Sequence, residues 1–163
     1  MRDSGEELDA IDREILRILA ADGRAAASRL AEQIGISRPA ISDRMDKLER
    51  NGVIRGTTAV VDPAALGKNV TAFVSARQSG SFDAKGARAF RELLGSDDIL
   101  EVHSVAGEDC YLMKVRTESI SSLNELIAKL TAAPLALSTR TTIVMETHLE
   151  KIGGIALTEP DGA

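Results

Sequence analysis

Six side chains between Ser37 and Arg55 carry the chemistry that nucleic-acid binding needs: Ser37, Arg38, Ser42, Arg44, Lys47 and Arg55. Cationic groups neutralise phosphate, an arginine can also take the edge of a guanine with two parallel hydrogen bonds, and a hydroxyl can meet either target. For Arg44 the spacing leaves both roles open, base edge or phosphate. Ser37 and Arg38 stand where a helix begins, a place whose N–H groups favour an anion. Arg55 suits backbone phosphate. Lys47 belongs to the same basic set, yet with Arg50 it sits at helical spacing from Asp43, Asp46 and Glu49, and pairing with those acids is the preferred reading for both. The stretch 37–55 holds five basic and three acidic residues, net +2, in a chain of formal charge −5. Attraction to DNA follows the local charge that faces phosphate, so the acidic total permits this partner.

Those side chains need elements to hold them. Leu30, Ala31 and Ile34 make one apolar face, and Ile41, Met45 and Leu48 repeat at helical spacing after a break. Gly35 supplies the positive-φ turn between the two, small Ala31 allows close approach, and Ile41 plugs the shared core. Ser37 falls at an N-cap, and Pro39 lies in the first turn, where no helical N–H bond is lost. A Gly-centred turn alone also fits an ordinary pair of packed helices. The β-rich, Gly-interrupted run Val53–Val61 tips the reading towards a helix-turn-helix with a wing. A helix over 8–21, ended by Asp22-Gly23, completes the domain. Its Leu8, Ile11, Ile15, Ile18 and Leu19 face the core, while Asp9, Asp12, Glu14 and Arg17 stay in water.

Asp62–Lys68 is bounded by Pro63 and Gly67 and reads as a linker. Beyond it strand and helix patterns alternate: a strand over 70–78, a helix over 83–94 with Ala87, Phe90, Leu93 and Leu94 inward, and strands over 99–106 and 110–116 around the Gly107-Glu108-Asp109 turn. A helix over 119–130, with Ile120, Leu123, Leu126, Ile127 and Leu130 inward, and a strand over 139–149 follow. The order is βαββαβ, so the fold class is α+β, a winged helix-turn-helix followed by a ferredoxin-like domain. Both faces of the first strand carry apolar residues, Val70, Ala72 and Val74 against Phe73. The sheet face away from the helices therefore calls for a second copy of the chain.

No acid–base or nucleophilic constellation appears, which argues against an enzyme, and no cofactor is expected. His103, His148 and the single Cys110 are too scattered for a metal site. No apolar run spans a membrane and the N-terminus lacks a signal core, so the expected location is cytoplasmic. Two rivals remain: a winged helix that serves protein assembly, and a second half that works as a metabolic module.

With both halves placed, the chain resembles the Lrp/AsnC, or feast/famine, family of transcription regulators from about Leu8 to Leu149. The resemblance is carried by Leu8-Asp9-Ala10-Ile11-Asp12, Ile15-Leu16, Asp22-Gly23-Arg24, Leu30-Ala31 and Gly35-Ile36-Ser37. Arg44, Leu48-Glu49, Gly52-Val53-Ile54, Asp62-Pro63 and Leu66-Gly67 continue it, and Thr139-x-Thr141 with Ile143-Val144 fits the family's last strand. It implies a sequence-specific regulator of double-stranded DNA that answers to an amino acid or related metabolite bound between protomers. The expected assembly is a homodimer that builds tetramers or octamers, with no membrane partner. The expected organisation is 1–61 winged helix-turn-helix, 62–68 linker, 69–152 ligand-binding and oligomerising domain, and 153–163 flexible tail. The family's Gly-x-x-Asp turn reads Gly107-Glu108-Asp109-Cys110 here, a departure at its last position. In this turn the N–H groups of Gly107, Glu108 and Asp109 can cradle a carboxylate. Glu108 or Asp109 can pair with an ammonium, and Thr141 can add a hydroxyl. A plain solvated hairpin is the even alternative.

Overall fold

A computed structural model describes residues 7–78 and 80–150. The expected tail 153–163 lies outside these residues. Contacts divide the chain into two units, a helical one up to Val60 and a sheet-containing one over Val61–Leu149.

The helical unit has three helices, α1 (Ala10–Ala21), α2 (Ala27–Ile34) and α3 (Arg38–Arg50). Helix α1 starts two residues later than its apolar pattern because Asp9 is its N-cap. The Asp9 carboxylate accepts from the Asp12 amide at 2.8 Å, and the Asp12 carboxylate accepts from the Asp9 amide at 3.3 Å. Gly35, at φ 81°, closes α2 in the left-handed conformation that a side chain would strain. Ser37 caps α3 as its type foretells. Ile15, Leu30 and Ile41 are fully enclosed, with Ile18 and Leu48 nearly so, and Leu8, Ile11, Met45 and Ile54 pack around them. Enclosing each such aliphatic side chain stabilises the unit by roughly 1.5–3 kcal/mol.

The wing run differs from expectation. Among the described residues, 53–61 hold no strand, although Ile54 packs on the helical core. A β pattern needs a ladder partner, and none pairs with this run. Gly56, at φ 150°, interrupts it, and Val60 and Val61 are exposed. The segment does lie close to the first bend, where a Cβ on Gly23 would stand 2.9 Å from the Thr57 methyl.

The second unit opens with a 3-10 turn, Pro63–Leu66, and then runs β1 (Val70–Arg77), α4 (Ala84–Leu93), β2 (Ile99–Ser104), β3 (Tyr111–Thr117), α5 (Ile120–Thr131) and β4 (Ser138–Ile143). Asp83 and Ser119 cap the two helices. The strands form one antiparallel sheet in the order β2-β3-β1-β4, with Phe73 opposite Lys114 on one side and Thr142 on the other. Alternation divides the residues cleanly. Ala72, Val74, Ala76, Met113 and Val115 join Leu93, Leu123, Leu126 and Leu130 of the helices in the core. The other face carries Thr71, Phe73 and Ser75, and Phe73 is 40% exposed.

Three expectations shift here. Strand β4 stops at Ile143, opposite Ala72, before β1 itself ends; one bond from the Val144 amide to the Thr71 carbonyl closes the ladder. Ile120 is exposed because it opens α5, ahead of the stripe that meets the sheet. Leu94 is exposed because it is the C-cap of α4. No helix among the described residues is long and apolar enough to cross a membrane.

Candidate nucleic-acid interface and effector site

Helix α3 turns Ile41 and Leu48 into the core, and Arg44 lies on the same side, three residues after one and four before the other. Its Nη1 donates to Asp9 Oδ2 and to Asp12 Oδ1, both at 2.7 Å. The sequence reading left both acids in water. Instead the Asp12 side chain is only 15% exposed and is held by Arg44. The Asp12 amide, followed by the Arg44 guanidinium, holds the Asp9 carboxyl below the usual carboxylate range. Asp9-x-x-Asp12 ahead of an apolar run was the available signal, since that spacing suits a reciprocal cap. The partner 32 residues away in α3 left no such trace.

The other candidates lie on α3 or just beyond it. Arg38 opens the helix and is exposed, Ser42 is half-buried, Lys47 is exposed near the C-terminal end, and Arg55 is exposed on the strand-free segment. The Ser37 oxygen accepts from the Ala40 amide at 3.4 Å, and its own hydroxyl proton is not used by that bond. Arg50 donates to the Asp46 carbonyl within the helix. The structure thus gathers Ser37, Arg38, Ser42 and Lys47 on one helix and turns Arg44 towards α1.

In the second unit the turn before β3 keeps Gly107, Glu108 and Asp109 contiguous. Gly107 adopts φ 144°, a backbone suited to glycine. Asp109 is engaged: Arg140 of β4 donates from Nη2 to its Oδ2 at 2.9 Å. Arg140 is opposite Ser75 on the open face, whereas Thr141 is opposite Val74 and so belongs to the helix side of the sheet. Within one chain, Thr141 is therefore not brought to the turn by the strand that carries it. Cys110 lies beside Gln78, whose amide approaches its sulfur at 3.5 Å. A cleft of about 290 Å³ between α4 and α5, lined by Ala89, Leu93, Leu126 and Leu135, contains none of the four turn and strand candidates. Among the described residues no group of three or more His, Cys, Asp or Glu is placed to hold a metal ion.

Residues 8–55 match a model of the winged helix-turn-helix DNA-binding domain, and residues 71–152 match the Lrp/AsnC ligand binding domain. The chain belongs to the Lrp/AsnC family. Similar proteins include the HTH-type transcriptional regulator FL11 of Pyrococcus abyssi, 34% identical over 88% of this chain and 93% of that protein. Another is the HTH-type transcriptional regulator LrpA of Mycobacterium tuberculosis, 37% identical over 87% of this chain and 93% of that one. Among solved structures, the M. tuberculosis feast or famine regulatory protein complexed with L-methionine is similar at TM-score 0.79 and 36% identity, covering 90% of this chain and 97% of that chain. AsnC of E. coli is similar at TM-score 0.78 and 29% identity, over 89% and 97% of the two chains.

This Lrp/AsnC chain is a DNA-binding transcriptional regulator with a ligand-binding domain, and its family is one of regulators, not of enzymes. Within an Lrp/AsnC regulator the two parts have separate tasks. The helical unit carries α3 with Arg38 at its start and Arg55 on the segment that follows it, both exposed. The sheet unit carries a glycine-bent turn in which Asp109 is paired with Arg140.

Proposed function

We propose that the chain binds a specific double-stranded DNA site through α3 and alters that binding when an amino acid or related metabolite occupies a site between protomers. The observation that carries this reading is the joining, in one chain, of a helix-turn-helix with basic residues on α3 to a βαββαβ ligand-binding domain. The L-methionine complex of the mycobacterial relative supports an amino acid as the effector class. On this reading Ser37, Arg38, Ser42, Lys47 and Arg55 meet the DNA, the arginines chiefly through phosphate.

The effector's carboxylate rests on the N–H groups of Gly107, Glu108 and Asp109. With Asp109 bound to Arg140, Glu108 is the acid available to the ammonium. Since Thr141 lies on the helix side of the sheet within one chain, on this reading it serves the ligand from a second protomer. The half-exposed Phe73, at the middle of the open sheet face, supports a two-fold pairing of sheets, and larger assemblies grow from that dimer. Calorimetric titration against each of the twenty amino acids tests the effector. At least one should bind at millimolar concentration or below, and Gly107→Leu should abolish it. Absence of binding by all twenty contradicts the effector and leaves the DNA contact standing.

A further inference from the structure

We infer that Arg44 is a positioning residue: it fixes the recognition helix α3 against α1 through Asp9 and Asp12, and it does not itself touch DNA. Reciprocal capping brings two carboxylates together at the start of α1, an arrangement that mutual repulsion opposes. One nitrogen of Arg44 lies 2.7 Å from an oxygen of each and relieves that repulsion. The Arg44 side chain is 32% exposed, and Asp12 less. Because Nη1 serves both acids, moving the guanidinium out to a base edge would stretch both contacts and leave Asp9 and Asp12 less compensated close to a polyanion. Its place on α3 agrees. Arg44 shares a side with Ile41 and Leu48, while Pro39, Asp43, Asp46 and Arg50 occupy the far, exposed side of the helix. The bond joins residues more than 30 positions apart and spans the interval between the N-terminal cap and the middle of α3. It therefore sets the angle at which α3 leaves the core, and through that angle the positions of Arg38 and Ser42.

The test uses the full chain and a duplex selected by it from a random pool. Binding is measured across a salt series for the unchanged chain, Arg44→Ala, Arg44→Lys, the pair Asp9→Asn with Asp12→Asn, and the triple variant. Removing two acids from a DNA-binding domain should strengthen every phosphate contact if position is unimportant. Positioning predicts the reverse: the acid pair weakens binding to the selected duplex by about tenfold, as Arg44→Ala does, and the triple variant is no more than about twofold worse than either. Arg44→Lys retains binding to within about threefold because one nitrogen makes both contacts, whereas a bidentate guanine reader would not tolerate lysine. The dependence on salt in Arg44→Ala matches that of the acid pair, since both act by displacing the same contacts. In the absence of DNA, amide exchange over residues 38–50 quickens in the acid pair. The proposal is overturned if the acid pair binds the selected duplex as well as or better than the unchanged chain. It also fails if Arg44→Ala lowers the salt slope by about one relative to the acid pair, or if exchange in α3 is unaltered.

Discussion

Arg140 Nη2 donates to Asp109 Oδ2 at 2.9 Å, which ties the last strand of the sheet to the turn that precedes β3. The pair offsets the charge of Asp109 in that turn. With Arg140 in place, Asp109 presents little net negative charge to an anion approaching the N–H groups of Gly107 and Glu108.

Arg140→Ala should therefore weaken amino-acid binding by roughly five- to tenfold, through repulsion of the ligand carboxylate by the uncompensated Asp109. The Arg140 side chain is 68% exposed, so the same change should alter stability by about 1 kcal/mol at most. Calorimetry and a thermal melt of the variant separate the two effects. A large loss of stability would reassign the pair to holding the sheet.

Asp9 makes the stability of the helical unit depend on pH. Its folded carboxyl titrates below the ordinary range because the Asp12 amide and Arg44 favour the anion. A carboxylate depressed in this way contributes stability above its unfolded pKa and loses that contribution as pH falls through the folded value. Thermal melts from pH 7 downwards should show this loss below the ordinary aspartate range, and Asp9→Asn should remove it. A variant with the same acid profile as the unchanged chain would exclude Asp9 as its source.

Arg38 and Arg55 should behave as phosphate contacts. Either change to alanine should lower affinity for selected and unrelated duplexes alike and reduce the salt slope by about one, with no change in melting temperature. Leu30→Ala, at a fully enclosed position, should do the opposite: a loss of about 2–5 kcal/mol of stability. Unaltered salt slopes would remove the arginines from the interface.

Much of this was legible in residue types. Gly35, Ser37 and Pro39 announce a turn, a cap and a first helical turn, and each does its task locally, so no distant partner was needed to read it. The core positions Ile15, Leu30, Ile41 and Leu130 follow from period alone. What the sequence hid was pairing across distance. Asp9 and Asp12 read as solvated acids because nothing near them in sequence points to Arg44 as their partner. Asp109 looked available because Arg140 lies 31 residues away on another strand. Strand ends were hidden for the same reason: β4 pairs with β1 only as far as Ile143, and the run 53–61 carries β-forming residues with nothing to pair them.

The sheet pairing should appear as mass. Light scattering at micromolar concentration should give at least twice the 17.3 kDa of one chain, and Phe73→Glu should shift the assembly towards monomer by placing like charges across the two-fold. A monomeric mass for the unchanged chain contradicts the dimer.

The most direct test is selection of duplex DNA from a random pool by the full chain, repeated with and without a mixture of the twenty amino acids. The account predicts enrichment of a pseudo-palindromic site with half-sites about 34–36 Å apart or a multiple of that, and a change in affinity for that site when the mixture is present. Enrichment of no sequence would contradict specific DNA binding. An enriched site whose affinity is the same in both conditions would contradict control by an amino acid.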